Sequence, residues 1–216
     1  MKINYQKKME DILSSLTEKP TLLLHSCCAP CSSYVLECLR PHFHIIDFYY
    51  NPNIEPESEY IKRANELKRF LTQTDPDKTV SFIQAPYEPE IFRNRIRGLE
   101  QIPEGGARCF ACYALRLEES AKKAQELHCD YFTTTLSISP YKNAEKLNQI
   151  GQQLQEKYQV KYLFSDFKKK NGYQRSIELS QQYNLYRQPY CGCIFSRQEQ
   201  EQRKKTTADQ SEPINI

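Results

Sequence analysis

Glycine is scarce in this chain: there are six, and none falls between residues 20 and 97. Nucleotide-binding α/β proteins place glycines at their first strand-to-helix turn, so that backbone N–H groups can approach phosphate closely. An α/β chain without that cradle argues against ATP as the ligand. Tryptophan is absent, which leaves fifteen tyrosines as the main polar aromatics. No apolar run approaches the ~20 residues that cross a bilayer, so no membrane partner is expected. The start, "MKINYQKKMEDILSSLTEK", carries charges where a secretory leader needs an apolar stretch. That predicts a cytoplasmic protein in a reducing setting.

Sulfur is what the chain has in quantity, with nine cysteines. In a reducing compartment, clustered cysteines point to metal or redox chemistry before a disulfide framework. The net charge of +3 says little by itself, but "RNRIRG" (93–98) and "KKKNGYQR" (168–175) mix basic and polar groups as nucleic-acid surfaces do. Arg93, Arg95, Arg97, Lys168, Lys169 and Lys170 are therefore candidate phosphate contacts. Tyr49, Tyr50, Tyr141 and Tyr173 are candidate stacking groups.

Five β-rich runs, at 21–26, 43–50, 79–85, 130–136 and 160–164, alternate with helical patterns. Helices are predicted at 31–39, 57–73, 88–98, 110–128, 143–157 and 173–184. In the 110–128 stretch, Phe110, Ala114, Leu117, Ala121 and Ala124 form an apolar stripe. The alternation predicts a single α/β domain with a parallel sheet and helices on both faces. The expected organisation is a leading helix over 1–19, the domain over 20–196 and a disordered tail over 197–216, where apolar periodicity is lost. Ligands of open parallel sheets collect beyond the carboxyl ends of the strands. "HSCCAPC" (25–31), "NPN" (51–53) and "SISPYKN" (137–143) occupy such positions and are expected to meet over one crevice.

Cys27 and Cys28 are adjacent, so their side chains diverge unless the backbone turns. Such a pair suits the separate corners of an iron–sulfur cubane better than one small tetrahedral ion, without excluding zinc. Cys109 and Cys112 form a C-x-x-C at a helix entrance, where the dipole favours thiolates. Gly105 and Gly106 loosen the loop before them. Together the two pairs read as a four-thiolate site. Cys191 and Cys193 form a C-x-C whose disulfide would close a small, easily reduced ring, which suits a cycling dithiol; the alternative is further metal ligation. Cys31 is open between a second-metal ligand, a reactive thiol and helix packing. Cys38 and Cys129 have no partner at ligand spacing and are expected in the core, as is His25.

The chain resembles the cobalamin-independent epoxyqueuosine reductase family, QueH, over residues 20–196. "LLLHSCCAPC", "FYYNPNIEPESEYIKR", "GGARCFACYALRLEESAKKA", "FTTTLSISPYKN" and "YRQPYCGC" occur in the order that carries the likeness. The resemblance implies a Rossmann-like fold of the adenine-nucleotide-hydrolase type, and reduction of epoxyqueuosine in tRNA to queuosine. It also implies a [4Fe–4S] cluster on Cys27, Cys28, Cys109 and Cys112, an adjacent mononuclear iron to which Cys31 is a candidate ligand, and a redox-active pair at Cys191 and Cys193. An external electron donor is then needed. The alternatives are a zinc-stapled RNA-binding module and a sulfur-transfer enzyme on an ATP-pyrophosphatase fold; the missing phosphate cradle counts against the latter.

Overall fold

The computed structural model describes residues 3–209. Five strands, β1 (Thr21–His25), β2 (His44–Tyr49), β3 (Val80–Gln84), β4 (Tyr131–Thr134) and β5 (Lys161–Tyr162), form one sheet in the order β3-β2-β1-β4-β5. Every pairing is parallel. The helices are α1 (Tyr5–Ser15), α2 (Ala29–Leu39), α3 (Glu57–Thr74), α4 (Pro89–Arg95), α5 (Ala107–Glu126), α6 (Ala144–Tyr158), α7 (Gly172–Gln182) and α8 (Ile194–Asp209), with a 3₁₀ turn at Thr135–Ile138. The domain is Rossmann-like.

Alternation along β1 divides the core. Leu22 and Leu24 join one buried cluster with Val35, Leu36, Leu67 and Phe70 from α2 and α3. Leu23 joins the other, with Leu117, Ala121, Leu147 and Ile150 from α5 and α6. Successive side chains of a strand point to opposite faces, so a run of three leucines marks a strand covered on both sides. The stripe expected at 110–128 faces this second cluster: Leu117, Ala121 and Ala124 are buried there, and Phe110 and Ala114 pack against it.

The strand order reverses between β1 and β4, because β2 and β3 extend to one side of β1 while β4 and β5 extend to the other. The carboxyl ends flanking that reversal carry "HSCCAPC" and "SISPYKN", as the position of ligands in open sheets requires. Where apolar periodicity is lost, α8 continues as a helix through Asp209. Its amphipathicity is weak; contacts of its first turns with the domain hold it. Glu199 accepts from the buried Arg108 guanidinium at 2.7 Å and from the Glu104 N–H at 3.1 Å. Residues 210–216 of the expected tail lie outside the described residues.

Candidate metal and redox site

The chain leaves β1 through Ser26 and Cys27, and Cys28 caps α2 in an extended conformation, followed at once by helix-compatible Ala29 and Pro30. That turn cancels the expected divergence of the adjacent pair. Cys27 and Cys28 Sγ lie 3.7 Å apart, and with Cys31 Sγ, one helical turn on, all three sulfurs fall within 4.8 Å of one another. Two thiolates on one tetrahedral zinc at Zn–S of ~2.3 Å stand about 3.8 Å apart, so the geometric case against a single ion does not hold here. Cys31 therefore sits with the pair, and Cys109 and Cys112 do not join this tight group.

Charge within the triad is unequal. Hydrogen bonds from Cys28 and Cys31 hold Cys27 well below the usual thiol range, with Arg116 adding to the effect. Cys28 is pushed up to about 12, first by its bond to Cys27, and Cys31 is raised for the same reason. The protein alone thus favours one thiolate served by two thiols. Thr135 Oγ1 donates to Cys27 Sγ at 3.7 Å and Gln188 Nε2 to Cys28 Sγ at 3.0 Å, so the 3₁₀ turn and the segment before α8 close over the triad.

Cys109 and Cys112 occupy the first turns of α5. Cys109 packs in the same cluster as Cys27 and Cys28, whereas Cys112 packs with Cys193, Phe92 and Ile96. Gly105 N–H donates to Cys109 Sγ at 3.2 Å, as a helix entrance allows. Yet burial outweighs the helix end: it raises Cys109 and pushes Cys112 up to about 11. A cation would have to supply what these thiols need to ionise.

Arg116, two turns along α5 from Cys109 and 1% exposed, is the positive charge common to the group. It acts electrostatically on Cys112, Cys27 and Cys191. Its Nη2 donates to Asn51 Oδ1 at 2.5 Å, and Asn51 Nδ2 donates to the Ser26 carbonyl at 2.9 Å. "NPN" therefore ties α5 to the cysteine loop. The donor chemistry fits a cationic cofactor: buried sulfurs from two segments and a buried arginine to balance excess thiolate charge.

The C-x-C is held from the other side. Arg63 donates to the Cys191 carbonyl at 3.0 Å, and Glu55 N–H donates to the Gly192 carbonyl at 3.0 Å. Gly192 has φ +132°, and a Cβ there would stand 2.8 Å from Ile54. Glycine is thus required on both counts. Lys142 Nζ donates to Cys191 Sγ at 2.9 Å. A cavity of about 290 Å³ opens here, lined by Cys27, Cys31, Cys191, Arg116, Lys142 and Glu104, with Tyr141 and Tyr173 also on its wall.

Other expectations sort by burial. Tyr141, 76% exposed, and Tyr173 are available to a ligand of the cavity, but Tyr49 and Tyr50 are buried and unavailable for stacking on RNA. Tyr49 instead donates to the Tyr60 carbonyl at 2.9 Å. Arg93 pairs with Glu55 and Glu90, Arg97 bonds Asn94, and Lys168 and Lys170 pair with Asp166 and Glu10. His25 is a core residue: its ring nitrogens bond Thr134 Oγ1 and the Tyr50 carbonyl, and burial, then Arg116, push it down to about 3. Cys129 is buried and Cys38 packs against the α2–α3 cluster. Arg116, Gln188 and Glu104 carried no local sequence signal as site residues. Lys142 lay in a loop already singled out by its position after β4.

Comparison with known proteins places the chain in a family. The family model described as "Epoxyqueuosine reductase QueH" matches residues 22–199. A protein of that name from Staphylococcus epidermidis is 47% identical over 207 residues, covering 92% of this chain and 87% of its own length. One from Streptococcus pyogenes is 44% identical over 201 residues, covering 90% and 78%. One from Thermotoga maritima is 35% identical over 189 residues, covering 85% and 93%. The chain belongs to the QueH epoxyqueuosine reductase family.

Proposed function

We propose that this protein is an oxidoreductase that removes the epoxide oxygen of epoxyqueuosine in tRNA, giving queuosine. Membership of the family supports the reaction, and the packing of Cys109 with Cys27 and Cys28, and of Cys112 with Cys193, near the sheet's switch point is the observation that carries it. The reaction consumes two electrons and two protons and releases water. Cys191 and Cys193 are suited to deliver them, since a dithiol closing to a disulfide releases two electrons and two protons together. An external two-electron donor, such as another dithiol, then reopens the pair.

In this reading Cys27, Cys28, Cys109 and Cys112 hold a [4Fe–4S] cluster, on a fold of the adenine-nucleotide-hydrolase type, and Cys31 takes part in an adjacent mononuclear iron site. When bound, the cluster supplies one-electron transfer beside the substrate. The chain's own groups do the rest. Arg116 and Asn51 fix the loops, the cavity shields the reacting centre, and exposed Tyr141 offers a stacking face for an unpaired anticodon base. One observation favours a second reading: the 3.7 Å sulfur separation suits a single tetrahedral ion on Cys27, Cys28 and Cys31, and hence a zinc-stapled RNA-binding module.

Two measurements decide. Protein purified without air and analysed for iron, acid-labile sulfide and zinc is expected to be brown and to bleach with dithionite. Colourless protein with stoichiometric zinc supports the second reading instead. Nucleosides from tRNA of cells lacking the gene are expected to accumulate epoxyqueuosine; unchanged queuosine in a cell with no other such reductase refutes the function.

A further inference from the structure

The two sulfurs of the C-x-C stand in opposite surroundings. Cys193 is buried against Phe92, Ile96 and Cys112, and its polar contact is the Ser196 N–H at 3.4 Å. Cys191 lines the cavity and receives Lys142 Nζ at 2.9 Å. Lys142 is itself only 8% exposed, in a place where a lysine needs partners to remain charged. Those partners form a closed ring: Lys142 Nζ to Glu104 Oε1 at 3.3 Å, Ser196 Oγ to Glu104 Oε2 at 3.2 Å, and Cys191 N–H to Ser196 Oγ at 3.1 Å. The ring fixes the ammonium against one sulfur and not the other, on the wall of the cavity.

We propose that Lys142 is the general acid of the reduction: paired with Cys191, it stores one of the two protons that leave with the epoxide oxygen, and Cys193 holds the other. This rests on the reading of Cys191 and Cys193 as the redox pair. The balance is complete. Cys191 thiolate, Cys193 thiol and Lys142 ammonium, with the epoxide, become the Cys191–Cys193 disulfide, a neutral Lys142 amine, an alkene and water. Two sulfur-centred electrons are lost, both C–O bonds of the epoxide break, and both protons end on its oxygen. Closing the disulfide removes one of the two anionic partners of the ammonium and leaves Glu104, so the proton becomes easier to release at the moment the oxygen needs it. The external dithiol that reopens the pair returns both protons.

The test uses the full-length holoenzyme, prepared anaerobically with the pair reduced, and two variants. Lys142→Arg keeps the charge beside Cys191 but cannot give up a proton readily, since arginine stays protonated in proteins. Lys142→Gln removes both properties. Iodoacetamide labelling mapped by mass spectrometry reads the ion pair, and single turnover on epoxyqueuosine tRNA reads the proton. In the wild type Cys191 is expected to label at least about tenfold faster than the buried Cys193, through access and because the thiolate is the nucleophile, so the ion pair is read from the Cys191 rate in the variants. Lys142→Arg is expected to keep that preference while slowing single turnover by about 10²–10⁴-fold, the usual worth of a placed acid. Lys142→Gln is expected to slow Cys191 labelling at least about tenfold and to slow turnover as Lys142→Arg does. Turnover by Lys142→Arg within about threefold of wild type would reduce Lys142 to a charge partner and overturn its role as acid. Equal labelling of the two cysteines in the wild type would overturn the pairing without any variant having to fold. Undiminished turnover by Cys191→Ser, by contrast, would remove the redox pair itself, an outcome separable from the failure of Lys142.

Discussion

Asp47 permits a prediction whose size follows from its position. It sits in β2 beside Leu24, fully buried, and neither carboxylate oxygen has a hydrogen-bond partner. Burial raises its carboxyl from 3.8 to about 7; the nearby Ser26 hydroxyl and Arg40 oppose the rise, and Cys27 adds to it. A carboxyl raised in the folded state binds an extra proton there, so its contribution to stability is complete below the unfolded value and is lost as pH rises through the folded one. About three units at ~1.36 kcal/mol each make the loss about 4 kcal/mol. Asp47→Asn keeps the shape and removes the titration, leaving only a pH-independent offset. Urea unfolding of both proteins as metal-free chains, reduced and without air, from about pH 4 to about pH 8.5 gives the comparison. The variant is expected to gain about 4 kcal/mol on the wild type across that range, levelling off above the folded value. A difference that stays flat within about 1 kcal/mol would refute the reasoning, and would mean that the ionised carboxylate finds a partner.

Three further outcomes are expected. Cys109→Ala should yield a folded protein that, purified anaerobically, has lost iron and visible absorbance; an unchanged spectrum would remove Cys109 as a ligand. Gly172→Ala sets a Cβ 2.0 Å from the Phe167 carbonyl oxygen, a backbone atom that cannot swing away. It should destabilise by about 3 kcal/mol or more, read as a lowered urea midpoint, and a midpoint equal to wild type would contradict that packing. Glu199→Gln weakens the pairing of the buried Arg108 guanidinium, 2.7 Å away, and should cost about 1–3 kcal/mol and loosen α8 to limited proteolysis. Identical digestion patterns would mean that the helix is held elsewhere.

The sheet was legible because its strands announce themselves twice, by β-branched and aromatic runs and by the helical spacing between them. Leu22, Leu23 and Leu24 could only belong to a strand covered on both faces. The sulfur pairs were also legible, since a C-x-x-C or C-x-C is a local pattern. What escaped depended on distance in sequence. Arg116 sits on a helix like any other arginine, and only folding brings Cys27 and Cys191 to it. Gln188 reaches Cys28 across 160 positions. The tail escaped for the opposite reason: it lacks an apolar stripe, and its helix is anchored by Glu199 rather than by burial. Tyr49 and Tyr50 were misjudged because a strand tip next to a crevice also lies under the loop that forms it. The Cys27–Cys28 sulfurs meet because the extended cap at Cys28 turns the chain within a single residue, which the spacing alone left open.

The sulfur groups are drawn from residues as far apart as Cys27 and Cys193, so no fragment of the chain possesses the complete centre. On the proposed function, a ribosome must release nearly the whole polypeptide before the metal centre could be loaded, which would make loading a late step of maturation. Occupancy and folding then rise and fall together, because a ligand that binds only the native state stabilises it by mass action. If the proposed centre forms, a cell short of that metal would lose standing protein as well as turnover, since the unloaded population is the one exposed to proteases.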